Sequence, residues 1–203
     1  MSMRRCLVIL LALAVAMSAA PVGAVPGTLI IGKSQSASAM FTSVSSDGCV
    51  QTDVTVYAVD GDENSPPGPP EVQGFAAVNI NTVALCEPGP GLSAAGGILN
   101  PDFQVDQQLT TATLNASIPV SGDLPISSVE IHLTWTGTGE IVRSHSHDHV
   151  RTPDFVAIFN GTGDLRTAQA SGSVSDGVTN FTPLPAISAN LTSGHFVELT
   201  FAP

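Results

Sequence analysis

Between Val129 and Thr136 the chain alternates without exception: Val129, Ile131, Leu133 and Trp135 are large and apolar, while Glu130, His132, Thr134 and Thr136 are polar. A two-residue period puts successive side chains on opposite faces of an extended strand, so one face of this segment is built for burial and the other for water. The same rhythm governs Val50 to Ala58, Ala112 to Ile118 and Val197 to Phe201. Ala168, Ala170, Gly172 and Val174 supply an inner face of small residues. Phe155 to Phe159 is apolar at both parities, which predicts a strand covered on both sides.

The punctuation between these blocks agrees with strands. There are 19 Gly and 15 Pro, too many for a helical bundle, and Ser121-Gly122-Asp123, Asn160-Gly161 and Asp176-Gly177 read as turns. Disorder is excluded because 43% of residues are hydrophobic and only 11% charged. The expected fold is all-β, an antiparallel β-sandwich or jelly roll of about eight or nine strands between Ser34 and Phe201. Glu87 to Asp106 is rich in Gly and Pro, yet splitting the chain there would leave two halves with exposed strand edges. Residues 25–203 are therefore read as one domain.

Residues 1–24 read as a secretory leader. Arg4 and Arg5 provide the positive start, Cys6 to Met17 an apolar run, and Val22-Gly23-Ala24 a small-x-small cleavage pattern. The run is shorter than the ~20 residues a membrane-spanning helix needs, so no membrane span is expected. Removing the leader leaves four Lys and Arg against 17 Asp and Glu, a net charge of −13. Nucleic acid is excluded as a partner, since Lys33, Arg143, Arg151 and Arg166 form no basic stripe. The exported chain keeps two cysteines, Cys49 and Cys86, which lie almost symmetrically about Pro67-Gly68. An antiparallel hairpin turning there would bring them together at its open end, as one disulfide in an oxidising compartment.

Two segments carry residues able to bind metal. In Ser144-His145-Ser146-His147-Asp148-His149 the histidines fall on alternate positions, so on a strand His145, His147 and His149 share a face and suit zinc, copper or nickel. The competing reading is a solvated, polar edge strand. In Asp60-Gly61-Asp62-Glu63-Asn64 the alternate oxygen donors Asp60, Asp62 and Asn64 fit a calcium loop, against an acidic hairpin tip. No organic cofactor is expected, and no nucleophile elbow or phosphate loop is present in the sequence.

Gly139, five residues, then His145-x-His147 resembles the start of the first cupin motif, although Arg151, Thr152 and Pro153 stand where that motif continues towards a glutamate. The resemblance implies a β-barrel metalloprotein or metalloenzyme. The leader, one early disulfide and an alternating last strand ending near Phe201 resemble the layout of fimbrial pilus subunits, which implies assembly with a partner strand. The leading expectation is a secreted, non-catalytic binding or structural module with an extracellular protein or surface partner. N-terminal sequencing of exported protein is expected to begin at Val25; a first residue of Met1 would overturn the leader.

Overall fold

A computed structural model of the chain describes residues 28–64, 71–72, 74–87, 89–152 and 156–201. The expected leader with its cleavage point, the Pro67-Gly68 turn and Phe155 lie outside the described residues. Every regular element among the described residues is a strand. In chain order they are β1 (Thr28–Val44), β2 (Val50–Asn64), β3 (Glu71–Val72), β4 (Phe75–Ala84), β5 (Leu92–Leu99) and β6 (Asp102–Val105). There follow β7 (Thr111–Pro119), β8 (Ser121–Gly122), β9 (Ser128–Arg151), β10 (Val156–Ser175) and β11 (Ser188–Phe201).

All pairings are antiparallel, in the spatial order β6-β7-β9-β10-β11-β1-β2-β4-β5-β8, with β3 attached beside β2. One continuous sheet therefore contains every strand. It curls so that its two wings face each other: β5 and β4 pack on β7, and β6 packs on β1 and β2. That closure is of the β-sandwich type the alternation implies. Ala37, Ala39 and Phe41 of β1, Val54, Val56 and Ala58 of β2, and Ile131, Leu133 and Trp135 of β9 all point into the shared core. Trp135 is fully buried, and its indole Nε1–H donates to the Ser38 carbonyl at 2.9 Å, although β10 and β11 lie between the two strands in the sheet. A buried N–H needs such a partner, and this one ties the two wings together.

Several boundaries differ from the sequence reading, each for a local reason. Leu92 to Leu99, inside the stretch that resembled a loop, is a strand whose glycines permit close approach: a Cβ on Gly96 would strike the Pro119 carbonyl. The short β3, β6 and β8 raise the strand number above the eight or nine expected. Asn160-Gly161 is not a turn but lies inside β10, opposite His147 and Ser146. Val156 to Phe159 is half-buried rather than covered on both faces. What covers its outer side is local: the Phe159 ring stacks on Phe196 with centroids 5.7 Å apart, and Phe196 lies over Gly32, where a Cβ would collide with it.

The β2–β4 ladder runs from Val59↔Phe75 to Val50↔Ala84, and Cys49–Cys86 closes its open end with a Cα–Cα distance of 4.9 Å. The Leu85 N–H donates to the Cys49 carbonyl at 2.8 Å, so the ladder continues up to the bridge. With 37 residues of sequence separation, the chain-entropy model gives a stabilisation of about 4 kcal/mol. Replacing both cysteines by alanine is expected to lower the melting temperature by roughly 8–16 °C for a chain of this size, measured by thermal unfolding of oxidised wild type beside the variant. An unchanged midpoint would contradict it.

Candidate functional site

Five neighbouring strands extend beyond the sandwich. Residues 138–151 of β9 continue beside 156–166 of β10, then 192–201 of β11, 28–36 of β1 and 59–64 of β2. Directly paired residues share a face, so the parity of the core can be followed outward row by row. Ala58, Ala37 and Leu191 form the last buried row. The next inner row is Asp60–Gln35–Ser193–Asp164–Arg143. The one after is Asp62–Lys33–His195–Thr162–His145. On β10 the polar side chains begin one row earlier, at Arg166 beside Leu191, and from the row of Gln35 onward both inner rows are polar across all five strands.

These two rows line a concave trough of about 730 Å³, which Gln107 enters from the β6–β7 loop. A second cavity of about 350 Å³ adjoins it, lined by His147, Asn160 and Val197 among others. His145, Thr162 and His195 belong to both and form the wall between them. The trough carries both signs of charge, Lys33 and Arg143 against Asp60, Asp62 and Asp164. Arg143 Nε lies 3.2 Å from Asp164 Oδ1, an exposed pair that orients the guanidinium more than it stabilises the fold. His147 Nδ1 donates to Asn160 Oδ1 at 2.6 Å, which leaves the lone pair on Nε2.

The loop that presents Gln107 is held by Asp106. Its carboxylate accepts the N–H groups of Gln108 at 2.8 Å, Thr110 at 2.9 Å and Thr111 at 2.6 Å, as well as both threonine hydroxyls. Leu109 takes a left-handed conformation, φ 53°, and buries its side chain in the core. Arg166 reinforces the loop by donating to the Gln108 and Leu109 carbonyls, both at 3.4 Å, and to the Gly139 carbonyl at 2.9 Å. Burial raises the Asp106 carboxyl, but the hydrogen bonds from Thr110 and Thr111 outweigh it and hold the group well below the ordinary carboxylate range.

The residues singled out in the sequence are redistributed by this geometry. His145, His147 and His149 do share a face, on a part of β9 that pairs with β10 alone, because the ladder to β7 ends at Thr136. This part of β9 is therefore an edge of the sheet. Among the described residues no three His, Cys, Asp or Glu side chains converge where a metal ion could sit. Asp60, Asp62 and Asn64 of the expected calcium loop belong to strand β2, and Asp60 and Asp62 line the trough. His195, which the sequence does not single out, stands in one row with His145. The signal that finds it is Leu191-x-Ser193-x-His195, a polar break at the buried parity of β11. Comparison with family models, characterised proteins and solved structures finds no match to this chain.

Because the folded pKa of Asp106 lies below its unfolded value of ~3.9, the loop's contribution to stability is complete above about pH 4 and declines as pH falls towards the folded pKa. Denaturant unfolding of wild type and Asp106→Asn is expected to show a margin favouring wild type that is constant near neutrality and shrinks in acid. A margin independent of pH would overturn this assignment.

Proposed function

We infer that this protein is a secreted, non-catalytic binding module whose working surface is the polar trough on the inner face of the projecting strands. The carrying observation is the run of polar residues at the inward-facing positions of all five strands. Inside the sandwich the same parity carries the buried Ala37, Ala58, Leu191 and Trp135, whereas a lone polar residue would be tolerated anywhere on the surface. Here Asp60, Gln35, Ser193, Asp164 and Arg143, from five strands, form one polar row, and the next row repeats it. Backbone ladders on both sides of the inner three strands hold these groups in fixed relative positions, which lowers the ordering cost of binding.

The mixture of amide, hydroxyl and oppositely charged groups suits a small, polar ligand able to offer both donors and acceptors. Secretion is supported by the leader pattern in the sequence and by the Cys49–Cys86 bridge, a bond that persists in oxidising compartments. No helix among the described residues is long and apolar enough to cross a membrane.

Amide chemical-shift mapping tests the reading, with labelled protein titrated in turn with neutral sugars, amino acids and dicarboxylates. Shifts are expected to cluster on residues 33–35, 60–62, 143–145, 162–164 and 193–195. Arg143→Ala should weaken the bound probe by about tenfold or more, the worth of one charge-assisted hydrogen bond. Shifts confined to other strands, or turnover of a probe by the protein, would defeat the proposal.

A further inference from the structure

We propose that His145, His147 and His195 form a binding site for a divalent first-row transition metal, with zinc as the reference ion, on the wall shared by the two cavities. The sheet places all three on the inner face. His145 and His195 flank Thr162 in a single row, two strand spacings or about 9.6 Å apart, and His147 follows His145 by one inner position, about 6.7 Å along β9. All three line one concave wall, with Thr162 between His145 and His195. All three imidazoles are exposed, and in their present rotamers they do not meet. Because all three lie at exposed positions, side-chain rotation towards an ion would leave the core undisturbed.

His147 already has the outer support a ligating histidine needs. Its Nδ1–H is held by the Asn160 carbonyl oxygen at 2.6 Å, which directs the Nε2 lone pair away from the strand. Three nitrogen donors with one coordination position left for water suit zinc, copper or nickel rather than calcium or magnesium. The nearest cation on β9, Arg143, is engaged by Asp164, and Asp62 stands beside Lys33 in the same row as the two histidines. His149 is not part of the set. It lies about 13 Å along β9 from His145, in a row with the apolar Ile158 and Leu199.

Calorimetric titration of Zn²⁺ into the purified exported protein tests the site, and it needs no trough ligand, so its outcome is separate from that of the binding-module reading. One ion per chain is expected. His145→Ala, His147→Ala and His195→Ala should each lower the affinity by about tenfold or more, as should Asn160→Ala through loss of the support to His147. His132→Ala is the control: His132 makes the same kind of contact, 3.0 Å to Asn115 Oδ1, on the opposite face. His132→Ala and His149→Ala should leave binding intact, and unchanged melting temperatures show that the variants fold. Absence of saturable binding overturns the proposal. So does binding that survives His195→Ala but falls with His149→Ala, which would place the ion on the β9 edge alone.

Discussion

Backbone pairing continues without a break from β9 through β10, β11 and β1 to β2, and this ladder ties the two ends of the molecule together. In paired strands a residue and its direct partner face the same side, so the burial of Trp135, Leu191, Ala37 and Ala58 decides the orientation of every residue further along these strands. A slip of one position in any of the five would turn its core residues to water and its trough residues to the outer face. Core and trough are thus a single choice of register. Between β9 and β10 the ladder shifts between Arg166 and Ala168, but the shift keeps the parity, so His145 still faces the same way as Trp135.

The two ends of these strands are stabilised differently. Around Trp135 and Phe41 the sheet is covered by its opposite wing, and apolar burial dominates. Beyond the row of Ala37 the opposite wing is gone, and stability rests on backbone hydrogen bonds supplemented by local contacts such as Phe196 over Gly32. Glycines at 32, 61, 161, 163 and 194 suit that thin region, where there is no second layer to pack against. The same lack of cover leaves the inner face open to solvent. Polar side chains can stand there without a desolvation penalty and remain free to meet a ligand.

How much of this could be read beforehand follows from which interactions are local. The alternation in Val129 to Thr136 is a local pattern, and its strand appears where the pattern placed it. The Cys49–Cys86 bridge was legible because near-symmetry about one turn is also a property of the chain. Asn160-Gly161 misled, since the glycine serves a strand instead of a turn: Gly161 pairs with Phe196, and a Cβ there would crowd Ser146 and the Phe159 ring. His195 is not legible in the sequence as part of a site, because His145 is 50 residues away and becomes its row neighbour only through two ladders, β9–β10 and β10–β11.

By itself the sequence determined that the chain folds into antiparallel strands with one apolar face each, and that Cys49 pairs with Cys86, because periodicity and spacing act between residues close along the chain. Only the tertiary structure decided which strands are neighbours, and therefore that Asp62, Lys33, His195, Thr162 and His145 stand in one row. That order depends on how a single curled sheet buries Trp135 against the carbonyl of Ser38. Such closure is a property of all the strands at once, and no segment read alone contains it.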